Sequence, residues 1–180
     1  VGFEAIDRIL ASSRGRWTRA TSDSVVAEAT VDGHPITLMK PLTYMNLSGR
    51  PVSRWVTEMR ARPSEVMVYF DDAALPLGVV RVRKKGSAGG HRGLASIIDA
   101  LGTEAVPRCR IGIGTPGPSR DLVEFVLSPF GDSERPIVDR MLGRVVEATA
   151  VILSRGIETA MSQYNSTANG FSLLEPSGAR

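Results

Sequence analysis

The chain holds one cysteine, Cys109, in 180 residues, so it forms no internal disulfide and suits a reducing, cytoplasmic setting. That cysteine lies in an apolar, strand-like run and reads as an inert core thiol rather than a nucleophile. No apolar run reaches the length of a membrane span. The opening Val1–Asp7 carries acids where a secretory signal wants bases. Internal repeats are lacking, and low complexity is confined to the tail. Neither a P-loop nor a dinucleotide fingerprint is present, which leaves an unrelated nucleotide-binding α/β domain with little support. The paired acids Asp71-Asp72 have no cluster of His or Cys beside them, so neither a metal nor another cofactor is expected. Neither sign of charge dominates: the net charge is +3 and the pI about 9.4. Such a balance permits an RNA partner without requiring one.

What is present is ordinary for a globular protein: 42% apolar and 23% charged residues, in a length that favours one domain with a sizeable core. Phe3, Ile6, Ile9 and Leu10 recur at helical spacing, predicting a helix over 1–12, and the polar stretch 13–22 predicts a loop. Ser24–Val31, Asp32-Gly33 and Ile36–Met39 read as a hairpin closed by a glycine turn. A loop over 40–49 leads to a helix near 49–60. Short apolar runs near 65–70 and 110–114 predict strands covered on both faces, and the Val/Arg alternation of 78–84 predicts a strand with one wet face. Helices follow near 94–101, 133–155 and 157–164. Strands alternating with helices predict a single α/β domain over 1–165, a mixed twisted sheet with helices on both faces, and a flexible tail over 166–180.

Three stretches rise above composition. In the first, Lys40–Gly49, Asn46 offers both a donor and an acceptor, for a substrate amide, for a water, or as a cap for the next helix. In the second, Phe70–Lys84, Asp71 stands at the carboxyl end of a buried strand, where ligands bind in open α/β sheets. A carboxylate there either orients a histidine or caps a turn. In the third, Gly86–Leu94, a glycine-rich loop presents backbone N–H groups just before a helix, as a seat for anions or as a plain flexible turn. Arg81, Arg83, Lys84, Lys85 and Arg110 flank it as a basic rim or a solvated face.

Taken in order, these stretches resemble the peptidyl-tRNA hydrolase family, which carries K-P-x-T-[FY]-M-N-x-S-G, D-[DE]-x-D-L-P-x-G and G-G-H-N-G-L at similar separations. Arg110–Gly114 with Pro116-Gly117, and Asp121–Leu127, resemble its next two segments, so the likeness runs to about Asn165. The resemblance implies a monomeric, cytoplasmic, cofactor-free esterase that cleaves the ester between peptide and tRNA in peptidyl-tRNA, with no membrane and no obligate protein partner. It implies that Asp71 orients a catalytic histidine and that Asn46 holds the peptide or the attacking water. Tyr44, Met45, Gly89, Gly90, His91 and Arg92 then line the substrate site, and Arg83 and Arg110 bind tRNA phosphates.

Three departures stand out. The family opens with a strand, a G-L-G-N-P-G loop and a His-Asn pair before [VI]-G-F, whereas Val1-Gly2-Phe3 begin this chain. His34 and His91 are not evident substitutes for that histidine. A buried strand's three apolar side chains would contribute roughly 5–9 kcal/mol, against a domain stability of about 5–15 kcal/mol. The expectation is therefore a physiological protein longer at its N-terminus. Second, Arg92 stands where the family has an Asn, and arginine has no acceptor and keeps its charge. Third, Ala74 replaces a usual second Asp. Arg92 keeps open another reading, a non-catalytic RNA-binding relative like the plant organelle splicing factors of this fold.

Overall fold

The computed structural model describes residues 1–117 and 121–166. The predicted tail therefore lies almost wholly outside the described residues. Helix α1 (Gly2–Ser12) leads into a three-stranded antiparallel sheet, β1 (Arg16–Ala20), β2 (Ser24–Val31) and β3 (His34–Pro41), in the order β1-β2-β3. A 3₁₀ turn, Met45–Leu47, opens helix α2 (Gly49–Glu58). A second sheet holds β4 (Val68–Asp72), β5 (Val80–Arg83) and β6 (Arg108–Gly112) in the order β4-β6-β5, with β4 parallel and β5 antiparallel to β6. Between β5 and β6 the chain makes helix α3 (Arg92–Leu101), and after β6 come α4 (Leu122–Leu127), α5 (Arg135–Arg155) and α6 (Ile157–Tyr164).

The class is the α/β arrangement expected, with its strands divided between two sheets rather than joined in one. Hydrophobic burial ties the sheets together. Ala5, Ile6 and Ile9 of α1 pack with Ala27, Ala29, Val31 and Leu38 of the first sheet, with Val80, Cys109 and Ile111 of the second, and with Val138, Met141, Leu142 and Val145 of α5. The α5 residues recur at helical spacing because only one stripe of that helix faces inward. Cys109 is the inert thiol expected: it is buried, and burial pushes its pKa up to about 12. Among the described residues no helix is long and apolar enough to cross a membrane.

One element contradicts the sequence reading, and a second, α4, lies where that reading assigned none. The stretch 13–22, expected as loop, contains β1, all five of whose residues are exposed. An edge strand wet on both faces shows no alternation to read. Helix α4 leaves Leu122, Val123 and Leu127 exposed and is started by Asp121, whose side chain accepts from the N–H groups of Val123 and Glu124.

The outer edge of β5 is closed by a side chain. Asn165, just after α6, accepts from the Val82 N–H and donates to the Val82 carbonyl, both at 2.8 Å. An amide thus stands in for a neighbouring strand on an otherwise open edge. Asn165→Ala is expected to lower stability by about 1–3 kcal/mol, because it leaves both Val82 groups unpaired beside a fully buried side chain. Equal urea midpoints for the two proteins would refute that role.

Candidate active site

Asp71 lies at the carboxyl end of β4, where the parallel pair β4–β6 opens. It lines a cavity of about 430 Å³ with Val1, Phe3, Phe125, Val126 and Phe130. His91 approaches from the other side, its Nε2 3.9 Å from Asp71 Oδ1. That separation is electrostatic contact, longer than a hydrogen bond. Burial pushes the Asp71 carboxyl up, but His91, a backbone hydrogen bond and the Val1 ammonium together outweigh it, and the group is held below its ordinary range. A carboxylate so held is a poor proton acceptor and a good stabiliser of a neighbouring positive charge.

His91 is itself fixed. It is the N-cap of α3, and its Nδ1 accepts the Leu94 N–H at 3.0 Å. The ring proton of the neutral imidazole then sits on Nε2, directed at Asp71. The ring also stacks, tilted, on Phe70 at 4.6 Å between centroids. His91 therefore has no free lone pair while it caps the helix. His34 begins β3, opposite Val31 in the hairpin of the other sheet.

The Asn46 segment is brought to this place by α2 and α3. The Gly49 N–H donates to Ser96 Oγ at 2.9 Å, which docks the start of α2 on α3. Met45 lies over Gly93: a Cβ there would fall 2.4 Å from the Met45 sulfur and 3.0 Å from Cε1 of His91. Glycine is what lets the two segments meet. Met45 and His91 are consequently neighbours, and Asn46, next to Met45 in the 3₁₀ turn, is exposed. The capping alternative for Asn46 is not realised, since α2 has Ser48 at its N-cap and no side-chain cap bond. Tyr44 is 82% exposed.

The loop between β5 and α3 holds Gly89 and Gly90 at φ of 57° and 86°. With the His91 N–H donating to the Ala88 carbonyl at 3.0 Å, they form a tight turn of the kind that needs two positive-φ residues. Arg92 begins α3 and is exposed. A cation there adds to the positive end of the helix dipole instead of offsetting it, so the local potential favours an anion.

The basic rim is only partly as expected. Arg83, Lys85 and Arg92 are exposed and have no ion-pair partner among the described residues. Lys84 instead pairs with Glu158 at 2.5 Å. Arg110 is held through Nε by Asp72 Oδ2, also at 2.5 Å. It stands opposite Arg81 across β5–β6, and Asp72 offsets the repulsion of those like charges. Sequence reasoning missed Arg108, which is 2% exposed beside this loop. Its signal was an arginine inside the apolar run Val106–Cys109.

Residues 1–171 match the family model described as peptidyl-tRNA hydrolase. The chain belongs to the peptidyl-tRNA hydrolase family. It is 42% identical over 164 residues to the peptidyl-tRNA hydrolase of Carboxydothermus hydrogenoformans, covering 91% of this chain and 87% of that one. To the peptidyl-tRNA hydrolase of Aquifex aeolicus it is 39% identical over 165 residues, covering 92% and 86%. The fold is also that of the crystal structure of peptidyl-tRNA hydrolase from Acinetobacter baumannii, with a TM-score of 0.84 at 24% identity over 91% of this chain and 84% of the other. The sequence thus places the chain in this family and its fold is shared with a solved member, and the segments that meet at Asp71, His91 and Met45 are motif stretches that pointed to it.

Proposed function

We propose that this protein hydrolyses the ester joining a peptide to the 3′ ribose of tRNA, recycling tRNA from stalled or dropped-off translation. The observation that carries the reading is the meeting of the three motif stretches: His91 lies 3.9 Å from Asp71, and Met45 packs beside His91 over Gly93, although the three lie far apart in the chain. Hydrolysis needs a water activated by a base, a group that stabilises the base once it is protonated, and a group that holds the water or the acyl part. Asp71, anionic and held below its ordinary pKa, suits the second task. Asn46, exposed beside Met45, suits the third with its paired donor and acceptor. Tyr44 and Met45 supply apolar surface for the peptide, and Gly89, Gly90, His91 and Arg92 the wall that meets the tRNA end. Arg83, Lys85 and Arg92, with Arg110 behind them, are the phosphate-facing charges. We assign the molecule as a cytoplasmic monomer that acts on its RNA substrate without an obligate protein partner.

Charge-driven binding has a salt signature. Four phosphate contacts on duplex RNA or DNA-like geometry correspond to an affinity loss on the order of 10²-fold between 50 and 200 mM salt. Fluorescence titration of labelled tRNA across that range is the check. An affinity that stays flat would refute the phosphate role of this rim.

A further inference from the structure

Arg108 is a charged side chain inside the fold, and its guanidinium meets only carbonyl oxygens. Nε donates to Val106 O at 2.8 Å, Nη1 to Gly86 O at 2.5 Å and to Ser87 O at 2.9 Å, and Nη2 to Glu104 O at 3.2 Å. No carboxylate pairs with it among the described residues. Burying an unpaired cation is costly, and an apolar residue would pack a strand more cheaply. What only arginine provides is a planar fork of five donors that satisfies four carbonyls from two chain segments at once. One of those segments is the glycine-rich loop.

The bonds fix which way that loop faces. In a trans peptide the carbonyl of one residue and the N–H of the next point in opposite directions. With the Gly86 and Ser87 carbonyls drawn inward onto Arg108, the N–H groups of Ser87 and Ala88 are turned outward. Neither donates within the described structure, and nor do those of Gly89 and Gly90. The Ser87 and Ala88 donors thus face away from Arg108, and those of Gly89 and Gly90 follow without a partner among the described residues, in a chain segment flanked by the exposed Arg83, Lys85 and Arg92. A run of free backbone donors in a glycine-rich turn is able to hold an anionic oxygen.

We infer that Arg108 is a positioning residue: it never touches the substrate, but it holds the 86–90 loop so that the Ser87–Gly90 amides are presented to a tRNA phosphate. The inference rests on the proposed tRNA-binding function. It separates two contributions to RNA affinity, the exposed cations that act through charge and the neutral backbone donors, held by Arg108, that act through geometry.

The test uses the full chain, a labelled tRNA, and the variants Arg108→Lys and Arg108→Met. Lysine retains the charge but not the fork. Both variants are expected to bind tRNA about tenfold or more weakly, as the loss of one or two charge-assisted hydrogen bonds implies. The slope of affinity against salt should be unchanged, since no surface cation is removed. Parent-like binding by Arg108→Lys would overturn the inference, because charge alone would then suffice. So would a reduced salt slope in either variant. A second measurement needs no substitution and is immune to misfolding: amide resonances of the parent protein are followed as tRNA is added. Shifts concentrated at Ser87, Ala88, Gly89 and Gly90 are expected. If tRNA binds and those amides do not respond, the role assigned to Arg108 fails while the RNA-binding reading stands. If the parent does not bind tRNA at all, that reading fails first and takes the inference with it.

Discussion

The 180-residue chain is expected to hydrolyse purified peptidyl-tRNA about 10²–10⁴-fold more slowly than a version extended before Val1 by a family-type strand, glycine loop and His-Asn pair. That range is the usual contribution of a positioned general base. The chain has two histidines. His34 lies in the hairpin of the first sheet, and His91 has its Nδ1 lone pair engaged by the Leu94 N–H. For His91 to take a proton from water it must first release the N-terminus of α3, whose loss of a cap costs about 1 kcal/mol. Asp71 is held below its ordinary pKa and is a weak base at neutral pH. Comparable turnover by the two proteins would show that one of these groups is the base after all. Turnover by the extended version alone would show that Arg92 is tolerated. If neither turns over although both fold and bind tRNA, the non-catalytic reading gains, and Arg92→Asn in the extended version is the next comparison.

Asp71→Asn in the extended version is expected to lower kcat by roughly 10²-fold or more while leaving the fold intact. An amide keeps the shape but cannot stabilise a protonated base, and it can hold the wrong tautomer of an imidazole beside it. The stability effect has a direction set by linkage. The Asp71 pKa is lower in the folded protein than in the unfolded chain, so the carboxylate's contribution is present above the unfolded pKa. It is lost as pH falls through the folded pKa. The small stability gap between parent and variant should therefore close on acidification. Parent-like kcat in Asp71→Asn would remove Asp71 from the mechanism, and a gap that widened in acid would contradict its charged state.

How much of this was legible in the sequence depended on whether a feature was local. The hairpin β2–β3 was readable because Asp32-Gly33 takes positive φ at both positions, 49° and 83°, and the flanking residues alternate. Helices α1 and α5 were readable because one stripe of each is apolar. By contrast β1 and α4 bury almost nothing, so neither had a periodicity to find. The division into two sheets depends on long-range pairing, on which periodicity is silent. The same holds within the site. That Asp71 ends a buried strand was visible, and so was the glycine loop before α3. The capture of Arg110 by Asp72 was not, since it follows from the parallel register that sets Phe70 against Arg110. The position of Met45 over Gly93 likewise requires α2 and α3 to be packed first.

The Asn165 clasp on Val82 joins residues 83 positions apart. It therefore orders events during synthesis. Until residue 165 has left the ribosome, the edge of β5 has no partner from its own chain, and the strand stands as a bare template for any extended segment nearby. Domains emerge N-terminus first at about 5–20 residues per second, so that edge stays open for several seconds after β5 itself appears. On a crowded polysome the nearest extended segment is the same strand in a sister chain. Ribosome-bound intermediates stalled before residue 165 should then pair or aggregate, whereas those stalled well beyond it should not.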